Sequence, residues 1–285
     1  MAKRKKSKKR KELWMGVAVL SVILAVLLGI ALSLAGEPAP PSVEEFPTQP
    51  PQTVPPTLPP PEENPYGPMD FQYEGQYLTC TAGESTLGID VSTHQGVIDW
   101  QQVAASPVEF VMIRVGYRGY ESGWIQADDY AKANYEGAKA AGLKVGVYFF
   151  SQALDEWEAV EEASFVLSAI KDWQLDLPVV YDWEYVKEEA RTGRMNARQV
   201  TDCTLAFCRV IQAAGYQPMV YFNTHQAQEH LILEEVTAYP FWLAMYSDRM
   251  TYAYKVRMWQ YTDKGKVPGI EGSVDLNLLF TYPQT

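Results

Sequence analysis

The sequence predicts an α/β chain whose globular part is a single TIM-like βα barrel of eight strands, with fewer or shorter helices in its second half. Three observations carry this. From about residue 87 onward, apolar runs of strand length alternate with helical segments, the pattern of βα units. The runs are apolar on both faces, as the strands of a buried parallel sheet are. Polar or aromatic residues stand where the strands end: Asp90, Arg114, Tyr148, Asp182 and Glu184, Tyr221 and Asn223, Trp242, Gln260, Asp275. In such a barrel the C-terminal strand ends form the active-site mouth.

Taken in order, residues 1–12 hold eight Lys or Arg against one Glu. Residues 13–35 carry no charge and are mostly apolar. As a helix they would rise about 34 Å, enough to cross a bilayer core. The basic flank places the N-terminus in the cytoplasm. Ser33-Leu34-Ala35 resembles a small-residue cleavage site, but a cleaved signal has an apolar stretch of only about 7–15 residues. An uncleaved, single-pass signal anchor is therefore expected, with membrane lipid around residues 13–35 and the rest of the chain exported. Residues 36–68 include 13 of the 19 prolines and read as a disordered, extended spacer. Residues 69–86 read as a connecting segment, and residues 87–285 as the barrel.

Within the barrel, strands are expected at 88–92, 110–116, 144–150, 178–184, 217–222, 241–244, 257–261 and 273–276. Helices are expected at 99–105, 127–141, 155–170, 196–214 and 226–234. Gly142 and Gly215 each follow a helix, where a left-handed cap is needed.

The formal net charge is −11. Outside the basic head, 16 basic residues face 34 acidic ones, which argues against nucleic acid as a partner. Cys80, Cys203 and Cys208 cannot build a disulfide framework. Neither they nor His94, His225 and His230 show metal-ligand spacing. No metal or cofactor is expected, and the oligomeric state is not assigned.

The stretch Leu177-Pro178-Val179-Val180-Tyr181-Asp182-Trp183-Glu184-Tyr185 reads as a strand opening on a proline. Side chains alternate along a strand, so Asp182 and Glu184 share one face and Trp183 takes the other. Two ionised carboxylates on one face repel, and one of them holds its proton to higher pH. A protonated acid beside an ionised carboxylate is the equipment for cleaving a glycosidic bond. Taken alone, this spacing is better explained by two solvated acids at a strand end, so the surrounding motifs decide.

Gly88-Ile89-Asp90-Val91-Ser92, followed by Gln95-Gly96-Val97-Ile98-Asp99-Trp100, resembles the opening motif of glycoside hydrolase family 25, the lysozymes or N-acetylmuramidases of fungi, bacteria and phages. Residues 110–116 are similar to that family's second strand. Residues 129–146 are similar to its long helix and the approach to strand three. Asp182-Trp183-Glu184 matches its Asp-x-Glu signature. Trp242-Leu243-Ala244 with Tyr246 resembles its sixth strand. Trp259-Gln260-Tyr261 and the run from Gly269-Ile270 to Val274-Asp275-Leu276-Asn277 resemble its final hairpin. The resemblance covers about residues 87–280. One departure is that Tyr148-Phe149-Phe150 stands where the family commonly has Tyr-His-Phe; it removes no carboxylate.

The resemblance implies cleavage of the β-1,4 bond between N-acetylmuramic acid and N-acetylglucosamine in peptidoglycan. It also implies net retention, with the sugar's acetamido group as internal nucleophile. Glu184 would be the general acid. Asp182 would stay ionised and orient the acetamido group or stabilise the charge developing on the ring. Asp90 and Asp275, from strands that are neighbours in a closed barrel, would position substrate and tune the pair. Tyr148, Tyr221, Trp242 and Gln260 would form the sugar-binding wall. The implied partner is the glycan strand of the cell wall, which the exported domain would face. Two other readings are a non-catalytic wall anchor that holds peptidoglycan without cutting it, and a glycosidase acting on a related polysaccharide such as chitin.

Overall fold

The computed structural model describes residues 60–282. The basic head, the apolar segment 13–35 and most of the spacer lie outside the described residues. Among the described residues no helix is long and apolar enough to cross a membrane.

A short hairpin, β1 (Phe71–Glu74) and β2 (Tyr77–Cys80), precedes the barrel. The barrel itself is made by β3 (Glu84–Val91), β4 (Phe110–Arg118), β6 (Lys144–Ser151), β7 (Val179–Trp183), β8 (Pro218–Asn223), β9 (Phe241–Ala244), β10 (Met258–Gly265) and β11 (Val274–Thr281). The seven barrel strands before β11 run parallel around the wall, and the β3–β4 pairing closes it. The last strand departs from the all-parallel pattern: β11 is antiparallel to both β10 and β3. A hairpin return needs no crossover helix, and none stands between β10 and β11. It also changes how Asp275 reaches the mouth. Asp275 lies at the start of β11, not at a strand's C-terminal end, and pairs directly with Asp90 of β3.

Alternation sorts each strand's side chains into two cores. The inward set, Phe110, Met112, Val180, Met219, Trp242, Met258 and Leu279, fills the barrel. The outward set packs under the helices. The Phe110 ring fits because Gly88 has no side chain: a Cβ there would lie 2.2 Å from the ring. Gly88→Ala is therefore expected to cost about 1–3 kcal/mol by overpacking. Its measure is thermal unfolding by circular dichroism, and an unchanged midpoint would mean that Phe110 has room to move.

The helices lie outside the wall at Trp100–Ala104, Ala131–Ala140, Glu156–Ala169, Ala197–Ala213, Thr224–Glu229 and Leu233–Val236. The longest buries Val200, Cys203, Phe207 and Ile211, a stripe of helical period. Asn196 opens it, accepting from the Gln199 N–H while the Gln199 side chain accepts from the Asn196 N–H. Gly142 and Gly215 take positive φ after their helices, as expected.

Three boundaries differ from expectation. The helix expected over 127–141 begins only at Ala131, because Ile125–Ala127 forms β5, antiparallel to the end of β4. The Asp128 carboxylate then turns the chain, accepting from the Tyr130 N–H, the Thr93 N–H and Arg114. The helix expected over 226–234 breaks in two, and the Ile232 N–H at the break donates to Thr201 Oγ1. Residues 60–68, assigned to the spacer, are part of the folded unit. Glu63 bridges to Tyr254, the Asn64 N–H donates to Ala253 O, and Lys255 pairs with Glu62 at 2.6 Å. Tyr66 stacks on Tyr282 at 5.8 Å. The connecting segment 69–86 supplies β1, β2 and the first residues of β3, and Phe71 packs on Trp259 at 5.0 Å.

Candidate active site

At the mouth, Asp90 is buried and held by amides. Its Oδ2 accepts from Gln260 Nε2 at 2.9 Å and from Asn277 Nδ2 at 2.8 Å. Each amide is oriented in turn. Trp242 Nε1 donates to Asn277 Oδ1 at 2.8 Å. Tyr221 and Tyr246 donate their hydroxyls to Gln260 Oε1 at 3.1 and 3.3 Å. All of these groups but Tyr246 lie within barrel strands, and Tyr246 lies two residues past β9, so the wall itself fixes the network.

Across the mouth, Asp182 and Glu184 come from the end of β7. Asp182 is buried, and its Oδ1 has no hydrogen-bond partner among the described residues. Glu184, one residue past the strand, is partly open to solvent. Its carbonyl accepts from Gln152 Nε2 at 2.8 Å, and Thr192 donates to Gln152 Oε1 at 2.6 Å. The Trp183 carbonyl accepts from Gln226. Two buried glutamines, Gln152 just past β6 and Gln226 in the helix Thr224–Glu229, thus hold the backbone that carries the pair.

Burial raises all four carboxylates, and neighbouring acids add to this for Glu184, Asp182 and Asp275. Burial pushes Glu184 up to about 7, with Asp90 adding to it. Burial also raises Asp275, with Asp90, Asp263 and Glu184 contributing, and it raises Asp90 against the pull of its two amide donors. Asp182 goes well above the ordinary carboxylate range through burial, Glu184 and Asp90, opposed by Arg114. In the free site low dielectric and like charge both favour the proton on Asp182, against the expectation of an ionised group. Burial and the nearby acids also lift the Tyr148 and Tyr221 phenols well above 10, so both keep their protons.

All four expected acids meet in this one mouth. The expected sugar wall is revised. Trp242 is 1% exposed, with the edges of Tyr148 and Tyr221 packed against it at 5.9 and 5.0 Å. It forms the floor and orients Asn277, and it offers no free face to a sugar. Gln260 is likewise buried beside Asp90. Tyr148 is half-buried at the mouth, while Tyr246 is 57% exposed with its hydroxyl on Gln260. Sequence reasoning missed Asn277, Gln152, Gln226 and the role of Arg114, the cation nearest Asp182, which Asp128 holds at 2.9 Å. Only the motif positions of Tyr246 and Asn277 signalled them.

Residues 89–270 match the profile of glycosyl hydrolases family 25. The autolytic lysozyme of Clostridium acetobutylicum is 30% identical over 191 residues, covering 67% of this chain and 54% of that protein. Lysozyme M1 of Streptomyces globisporus is 27% identical over 231 residues, covering 76% of this chain and 71% of that one. Among solved structures, the modular autolysin LytC from Streptococcus pneumoniae is similar with a TM-score of 0.62 at 27% identity. That match covers 69% of this chain and 47% of LytC, so the chain spans about half the length of that autolysin. A second LytC structure holds a synthetic peptidoglycan ligand. With the profile covering most of the barrel and three of its four acids, the chain belongs to glycosyl hydrolases family 25.

Proposed function

We propose that the protein is a peptidoglycan hydrolase that cuts the β-1,4 bond between N-acetylmuramic acid and N-acetylglucosamine. The observation that carries this reading is the position of Glu184, near neutrality in its proton affinity and at the open edge of a four-acid mouth. A general acid works best when its pKa lies near the working pH. Glu184 donates its proton to the glycosidic oxygen. Asp182 faces the ring side, its unpartnered Oδ1 available to the 2-acetamido group. Positive charge developing on the sugar favours the ionised form of Asp182, reversing what burial does in the free site. Burial, with the charge of Asp90, keeps Glu184 protonated. Lysozyme and autolysin relatives support peptidoglycan as the substrate.

The uncharged segment 13–35 behind its basic head supports a single-pass membrane tether, with the barrel on the cell-wall side. One experiment addresses both parts. Washed membranes from cells producing the full chain, incubated with purified peptidoglycan, are expected to release fragments with reducing-end N-acetylmuramic acid by mass analysis. Fragments with a different reducing end would exclude this bond, and release from chitin alone would favour the related-polysaccharide reading. Activity found in the medium and not in membranes would exclude the tether.

A further inference from the structure

Beyond the mouth, the rim holds an aromatic patch that the reaction does not use. Trp124 and Trp157 are 76% and 83% exposed; among the described residues no other tryptophan is exposed. They come from different elements, the turn between β4 and β5 and the first turn of the helix Glu156–Ala169. One buried guanidinium ties the two segments that carry them. Arg118 donates through one NH2 group to Gly123 O at 2.8 Å and through the other to Glu158 O at 3.1 Å. Trp124 follows the first carbonyl in sequence and Trp157 precedes the second. Glu161 and Glu162 take two more Arg118 donors at 2.7 Å, so the pairing of turn and helix is firmly set.

The same rim leads back to the acids. Arg191 binds Glu158 through both terminal nitrogens at 2.6 Å and donates to Gln152 O, and its own N–H donates to Tyr120 O. Gln152 holds the Glu184 carbonyl. Patch and general acid thus stand on one continuous, hydrogen-bonded wall. We propose that Trp124 and Trp157 form a platform on which the glycan strand lies as it leaves the mouth. This rests on the peptidoglycan reading above. A row of sugar rings presents neutral, partly apolar faces that stack on aromatic rings. The indole rings themselves are uncharged, so stacking and not ion pairing would hold such a ligand. The platform would make long glycan the preferred substrate.

The test uses the full-length chain in detergent with Glu184→Gln, so that bound glycan is not cut. Cosedimentation with insoluble peptidoglycan is expected for this variant. Adding Trp124→Ala and Trp157→Ala is expected to weaken it about tenfold, or about 1.4 kcal/mol. Trp124→Phe with Trp157→Phe is expected to keep most of the binding, and unchanged melting temperatures show that the fold is intact. Equal sedimentation with and without the alanine pair overturns the platform and leaves the peptidoglycan reading standing. Failure of the Glu184→Gln protein itself to sediment overturns that reading, and the platform falls with it. Loss of a dimer on alanine substitution, with sedimentation unchanged, would assign the patch to self-association and also overturn the proposal.

Discussion

Glu184→Gln is expected to lower peptidoglycan cleavage by at least about 100-fold, the usual size of a general-acid effect. Gln keeps the volume of Glu but cannot give up a proton to the leaving oxygen. The backbone at this position is held through its carbonyl by Gln152, which the substitution leaves alone, so thermal stability should change little. Release of reducing ends from purified cell wall measures the effect. Cleavage near the wild-type rate would remove Glu184 from its role and with it the proposed mechanism.

The second large effect concerns Asp90. Asp90→Asn should leave an oxygen to accept from both Gln260 and Asn277, so the network survives while the charge is lost. That charge is a cause of the raised proton affinity of Glu184, of Asp182 and of Asp275. Removing a negative neighbour lowers a carboxyl pKa. Glu184 should then hold its proton less well at neutral pH, and the alkaline limb of kcat/KM should move to lower pH. The shift should be clearest above about pH 6, where the wild-type Asp90 is itself ionised. Activity at pH 7 should fall on the order of 10-fold or more, as expected for a group whose charge tunes the acid. A limb that stays in place would show that burial alone sets the acid.

The eight strand segments are readable from the sequence because each must satisfy two cores at once, and runs such as 110–116 are apolar on both faces for that reason. The boundaries that escape are set by partners far away in the chain. Thr201 holds the break between two helices 31 residues later at Ile232, and Asp128 turns the chain by reaching Thr93 and Arg114. The spacer boundary escapes because proline content reports what a segment cannot do alone. It is silent on whether residues 60–68 find an edge to lie against, as they do at 252–255. In the site, the acids are legible through spacing and motif. The amides are not: Asn277 and Gln226 acquire meaning only when the barrel brings them to Asp90 and to the Trp183 carbonyl. Trp242 misleads because an aromatic at a strand end reads the same whether it faces substrate or caps the core.

The reversed direction of β11 has a practical consequence for how this barrel can be handled. Because β11 starts beside Asp90 and runs away from the mouth, Tyr282 finishes on the opposite side, stacked on Tyr66. Both ends of the described chain therefore leave from the floor. Anything joined there, whether a reporter, an affinity tag or a surface linker, meets the barrel behind its working face. The domain can be immobilised through either end with its acids still turned toward an incoming strand.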